Sequence, residues 1–155
     1  LSVVMARAKV IDLDPAYTST HGGHPLACAA GVATIEVFEK LDLINAARRK
    51  ESIFQKHFSV IKESYPDIVE LILGKGMIHG IFIRDPKKKK SDNKQDELDH
   101  ILTDQIVQRA MEKGVFLIRT GCGTLKLGPP LTITDQALEE ALTVVNESIS
   151  ECIKG

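Results

Sequence analysis

The residues with the clearest chemical potential lie in one polar, glycine-bearing stretch, Tyr17-Thr18-Ser19-Thr20-His21-Gly22-Gly23-His24, just ahead of Pro25. A hydroxyl beside backbone N–H groups, in a loop that runs into a helix N-terminus, can cradle a phosphate. Thr20 is the foremost candidate for that role, with Ser19 and His21 as weaker companions. The competing reading is a loop threonine that caps a turn, and on spacing alone this is the commoner role. Arg119 stands immediately before the turn Thr120-Gly121-Cys122-Gly123. Its planar guanidinium suits a carboxylate gripped through two parallel hydrogen bonds, against the alternative of a solvated arginine at a strand end.

Other polar clusters carry less. Lys87 to Lys90 are followed closely by Asp92, Asp96, Glu97 and Asp99, with no interleaved aromatic. That pattern reads as a solvated loop and not as a nucleic-acid surface. His57, His79 and His100 lack metal-ligand spacing to acidic or cysteine partners, so no metal site is expected. Cys28, Cys122 and Cys152 are odd in number and form no CxxC pair, which argues against a disulfide framework and a zinc site. A reducing, cytoplasmic compartment fits this usage, with mitochondria or plastids left open. The net charge of -1 gives no general attraction to nucleic acid or to an anionic membrane, and no apolar run is long enough to span a bilayer.

These residues need elements to hold them. The opening Leu1-Ser2-Val3-Val4-Met5-Ala6 has no initiator Met and reads like the inside of a strand, which predicts a fragment of a longer chain. Pro25 suits the first position of a helix running to about Lys40, with Leu26, Ala29, Ala30, Ala33 and Val37 on one face. So alanine-rich a face predicts a helix buried between two layers. A second helix is expected over Ile44–Tyr65, with Ala47, Glu51, Phe54, Phe58 and Ile61 in one stripe. Strands follow at Ile68–Leu73 and Met77–Arg84, joined by a hairpin turn at Gly74-Lys75-Gly76. Pro86 to Asp96 reads as a surface loop. A third helix, Leu98–Lys113, turns Leu98, Ile101, Leu102, Ile106 and Ala110 inward and stops at Gly114. Strands Val115–Ile118 and Thr124–Leu127 flank the glycine turn. Thr134 then caps a last helix whose stripe is Leu138, Ala141, Leu142, Val145 and Ile149. Short strands joined by tight turns pair antiparallel, so the expected fold is α+β, a small antiparallel sheet with packed helices.

Three separated stretches resemble one family. Ser19 to Ala30 is similar to the signature by which pyridoxal-phosphate (PLP) aminotransferases of the ornithine, acetylornithine and 4-aminobutyrate type (class III) pass from large to small domain. Gly76-Met77-Ile78-His79-Gly80 resembles their small-domain strand pair. Gly114 to Ile118 and Leu125 to Thr134 resemble their closing strands and final helix. The resemblance implies a fold-type I PLP enzyme, a homodimer with active sites at the subunit interface, acting on a small-molecule amino donor and a keto acid. On it, residues 1–23 are the tail of the large PLP-binding domain, 24–43 an interdomain helix and 44–155 the C-terminal small domain. Thr20, with Ser19, would meet the PLP phosphate of the neighbouring subunit, and Arg119 and Lys126 would meet substrate. Lys126 stands where many relatives carry a carboxylate-binding arginine; it keeps the charge and loses the two-pronged fork. His24 likewise replaces a more usual asparagine. The Schiff-base lysine of the family lies upstream of the stretch resembling Leu1–Met5, so the fragment alone is expected to hold no catalytic residue and to be inactive. Two alternatives stand beside transamination. One is another PLP outcome on the same fold (decarboxylating aminotransferase, aminomutase or racemase), and the other is a non-catalytic α+β binding module.

Overall fold

The computed structural model describes residues 7–13, 20–85, 87, 98–121 and 123–154. The chain divides into two compact units, Leu1–Leu43 and Ile44–Gly155.

In the first unit a single helical turn, α1 (Ala8–Ile11), ends in a turn at Asp12-Leu13. No sequence pattern marks it, because four residues are too few to show a period. The opening Leu1 to Ala6, expected to lie within a strand, falls outside the described residues. Helix α2 (Pro25–Lys40) begins on its proline as expected. None of its residues is buried, so the expectation of a helix between two layers is not met among the described residues.

The second unit is built on α3 (Leu43–Ser64), β1 (Val69–Lys75), β2 (Ile78–Ile83), α4 (His100–Glu112), β3 (Ile118–Arg119), β4 (Thr124–Leu127) and α5 (Asp135–Lys154). The four strands form one fully antiparallel sheet in the order β1-β2-β4-β3. Fold class and helix count follow the expectation for this part of the chain. The core lies on one face of the sheet, where Ile81, Ile83, Leu125 and Leu127 meet Phe54, Phe58 and Ile61 of α3, Ile106 and Ala110 of α4, and the Leu138/Leu142/Val145/Ile149 stripe of α5. Side chains alternate along strands, so the opposite face carries Leu73, Ile78 and Ile118, each at least half exposed, together with Gly80, Phe82 and Lys126.

Three local details differ from expectation. The hairpin turn is Gly76-Met77, not Gly74 to Gly76, since Lys75 pairs with Ile78. Gly76 takes φ 62, as the first position of a two-residue turn requires, while Met77 drops its side chain into the core. Gly74 stays in β1 at φ 151, where a Cβ would lie 2.3 Å from the Ile78 carbonyl oxygen. In α4 the inward face is Thr103, Ile106 and Ala110, whereas Ile101 is 73% exposed. The helix starts two residues later than expected because Asp99 caps it, accepting a hydrogen bond from the Leu102 N–H at 2.9 Å, while Leu98 bridges Arg84. Finally, β3 is Ile118–Arg119, shorter and later than Val115–Ile118. Gly114 (φ 88) does end the preceding helix, with the Val115 N–H reaching back to the Ala110 carbonyl at 2.9 Å. Thr134 caps α5 as expected, its hydroxyl accepting from the Ala137 N–H at 3.2 Å.

The surface loop expected at Pro86 to Asp96 lies outside the described residues except for Lys87, whose N–H donates to the Asp85 carboxylate at 2.9 Å. Burial also claims a residue that no stripe foretold. Lys50 is 8% exposed and reaches the first turn of α5, 3.7 Å from Asp135.

Candidate cofactor and substrate site

Thr20 opens an exposed turn, Thr20 to Gly23, that leads through His24 into α2. The turn closes with the His24 N–H donating to the His21 carbonyl at 3.2 Å, and Gly23 takes φ 69. At the helix start no side chain caps the backbone and no acidic residue occupies the first turn. The N–H groups of Leu26 and Ala27 have no acceptor among the described residues. Pro25 has no N–H and Cys28 donates to the His24 carbonyl, so these two N–H groups, with the helix dipole, are what favours an anion here. Ser19 lies outside the described residues. The rings of His21 and His24 meet edge to face, 6.3 Å between centroids.

Arg119 sits at the end of the edge strand β3, level with Leu125 of β4. Leu125 belongs to the core face, so Arg119 leans toward the helix-covered side, where α4 receives it. Its Nε donates to Asp104 Oδ1 at 2.5 Å, and its Nη1 donates to the Thr120 carbonyl and lies 3.3 Å from His100 Nδ1. The guanidinium therefore already holds one carboxylate, that of Asp104. Lys126 is one residue on from Leu125 and points to the other face, paired across the sheet with Ile118 and Gly80. It makes no ion pair among the described residues. The sheet thus separates the two cations that the sequence offered for substrate.

Sequence reasoning missed the group that holds Arg119 in place. His100, Thr103 and Asp104 stand three and four residues apart on α4, hence on one face. Thr103, fully buried, lies with its hydroxyl 2.5 Å from the Asp99 carbonyl and 3.1 Å from the Gly123 carbonyl, which share its one proton. The His100 ring covers Gly123, where φ is 68 and a Cβ would come within 3.1 Å of it. With the Gly123 N–H donating to the Thr120 carbonyl at 3.0 Å, α4 fixes the β3–β4 turn through three side chains. A polar stripe at 100, 103 and 104 beside an apolar one was the available signal.

The remaining titratable groups read as structure. His79, 3% exposed, packs tilted against Phe54 (4.4 Å) and edge to face with Phe58 (5.0 Å), and hydrogen-bonds the Gly76 carbonyl at 2.9 Å through Nε2. Burial pushes His57 below its ordinary value, helped by Lys56 and opposed by Glu139. Burial pushes the Cys152 thiol up, away from the reactive thiolate. Lys113 bridges Glu147 (2.8 Å) and Glu151 (2.6 Å), tying α4 to α5. Among the described residues no cluster of three or more metal-ligating side chains forms, and no helix is long and apolar enough to cross a membrane.

Comparison with known proteins decides the family. The model of aminotransferase class-III matches residues 1–149. The chain belongs to the class III aminotransferase family. Among its relatives is a mitochondrial acetylornithine aminotransferase of Candida glabrata, 29% identical over 133 residues, which are 86% of this chain and 27% of that protein. A leucine/methionine racemase of Thermococcus litoralis is 29% identical over 160 residues, covering all of this chain and 34% of that one. Among solved structures, the ornithine aminotransferase of Toxoplasma gondii, with PLP partially occupying its active site, superposes at a TM-score of 0.74 with 27% identity. The superposition covers 97% of this chain and 33% of that structure. This member of the class III family therefore spans about a third of the length of the relatives it matches.

Proposed function

We propose that this chain is the C-terminal part of a PLP-dependent aminotransferase that moves an amino group from an amine or amino acid to a keto acid, working as a homodimer in a reducing, cytoplasmic compartment. The observation that carries the reading is the Thr20 turn feeding an uncapped helix start, whose Leu26 and Ala27 N–H groups have no acceptor among the described residues and whose first turn holds no acidic residue. Those donors suit the phosphate of PLP, and Thr20, with Ser19 beside it, would hold that phosphate from the neighbouring subunit. When bound, PLP supplies the electron sink for the substrate carbanion. On this reading the lysine that takes the cofactor covalently lies in the longer polypeptide, and residues 1–23, 24–43 and 44–155 are large-domain tail, interdomain helix and small domain.

Of the two candidate cations, Lys126 is the better placed for a substrate carboxylate. It makes no ion pair among the described residues and is exposed on the sheet face opposite the core, whereas Arg119 is committed to Asp104. Lysine offers a point charge without the planar fork, so carboxylates would be bound with less geometric selectivity than an arginine gives. Arg119 then serves the turn, and substrate contact by its remaining N–H edge is the rival assignment.

A second reading is a racemase, favoured by the Thermococcus litoralis relative. It shares the cofactor and differs in which atom receives the proton. Assaying the full-length polypeptide for keto-acid-dependent amino transfer and for amino-acid racemisation separates the two. The test of the cofactor reading is Thr20→Ala in that polypeptide. Loss of one charge-assisted hydrogen bond, about 1.5–3 kcal/mol, weakens PLP binding roughly ten- to a hundredfold. Thr20→Ser keeps the hydroxyl and should be near neutral. Unchanged affinity in Thr20→Ala would remove Thr20 from the phosphate site.

A further inference from the structure

On the sheet face opposite the core, Lys126 has two directly paired neighbours, Gly80 of β2 and Ile118 of β3. Residues two apart on a strand share a face, so Ile78, Phe82 and Thr124 complete its surroundings. None of them carries a charge. Ile78 is 64% and Ile118 50% exposed. The lysine therefore stands in an apolar setting that the helices do not cover.

Gly80 opens a notch in this setting. A Cβ there would stand 3.1 Å from the Thr124 γ-methyl and 3.7 Å from Cε2 of Phe82. The Phe82 ring thus leans along β2 toward the glycine, and Thr124 turns its methyl, not its hydroxyl, to the same spot. Lys126 brings no atom within 4 Å of that point, so its own stem leaves the notch open. Gly80 does not take a positive φ, so the backbone conformation does not require a glycine. What the missing side chain provides is room.

We propose that Lys126 and the Gly80 notch form one substrate subsite, in which Lys126 binds the carboxylate and the notch takes the carbon chain beside it. The substrate is then an amino or keto acid with an aliphatic chain and no second charge on it. Carbons placed between Phe82, the Thr124 methyl and Ile118 leave water for apolar surface, which is favourable. A hydroxyl, amide or carboxylate at the same place would lose its water and find no partner among these side chains. Gly80 and Ile118 are the specificity-determining residues of this subsite. The inference rests on the assignment of Lys126 to the substrate carboxylate.

The test uses the full-length polypeptide with leucine and glutamine, in whichever of amino transfer or racemisation it performs. The two side chains are similar in length and differ in polarity. Leucine should be the better substrate. Ile118→Asn, at a half-exposed position where folding tolerates the change, should reduce the preference for leucine over glutamine roughly tenfold, and Ile118→Leu should retain it. Gly80→Ala should fill the notch and raise KM for leucine by about tenfold with little change in kcat. A merely structural role would move both substrates together. Lys126→Ala separates the two levels of the argument. If it leaves KM unchanged for both amino acids, the carboxylate assignment falls and the subsite falls with it. If it raises KM for both, three results would overturn the notch alone: glutamine preferred by the unaltered protein, equal losses for the two substrates in Ile118→Asn, or an unaltered leucine KM in Gly80→Ala.

Discussion

Arg119 and Lys126 stand on opposite faces of one sheet, Arg119 level with Leu125 and drawn to Asp104 of α4, Lys126 one residue on and turned to the uncovered side. A single carboxylate cannot be gripped by both. The distinction fixes different outcomes for the two cationic contacts that the family resemblance suggested.

Arg119→Ala should therefore act first on structure. Its side chain is 32% exposed and Asp104 58%, so solvent screening holds the pair to about 0.5–1 kcal/mol. Chemical denaturation of the chain should show that loss, with faster exchange of the Gly123 amide. In the full-length polypeptide, Lys126→Ala should raise KM for a carboxylate-bearing substrate more than Arg119→Ala does. The reverse order would return substrate contact to Arg119.

Thr103→Val keeps the volume and removes the hydroxyl that the Gly123 carbonyl depends on. An unsatisfied buried carbonyl costs about 1–3 kcal/mol, visible as a lower urea midpoint. Ile101→Gln, two residues away and exposed, should change stability by no more than about 0.5 kcal/mol. Equal effects at the two positions would mean the inward face of α4 is misassigned.

Gly74→Ala should be worse than Gly76→Ala. Both positions have positive φ, but a methyl at Gly74 also meets the Ile78 carbonyl and the His79 ring, whereas at Gly76 it meets open space. Gly76→Ala should cost about 1–2 kcal/mol, as a left-handed position does, and Gly74→Ala more than that.

His57 carries a pH signature. Burial lowers its folded-state value below 6.5, so the neutral form is favoured in the fold. An unfolded chain then binds the proton more readily, and stability present above the ordinary histidine value is lost as pH falls through the depressed one. His57→Gln should remove that part of the slope between neutral and mildly acidic pH. An unaltered slope would assign it to other groups.

The apolar periods were legible because burial enforces them. Phe54, Phe58, Ile61, Leu138, Leu142, Val145 and Ile149 stand in the core as their spacing predicts. Ile101 was misread because an isoleucine two residues inside a helix looks like core, while the buried role went to Thr103, whose hydroxyl needed two carbonyls that no linear pattern shows. The hairpin turn was placed two residues early because Gly74 and Gly76 look alike in sequence. Only pairing reveals that one serves the turn and the other makes room for a carbonyl. At the site, the Thr20 turn and Arg119 were visible as residue types. Their partners Asp104 and His100 were not, being fifteen and nineteen residues from Arg119.

Met77 occupies a two-residue hairpin loop and is nevertheless 5% exposed. Loops of this length are ordinarily where a chain accepts grafts, cleavage or an inserted epitope. Here the tip is also a core residue, so even one added amino acid would withdraw a thioether from the core or force the strands out of register. This hairpin is the wrong place to open the chain for a circular permutation or a reporter fusion.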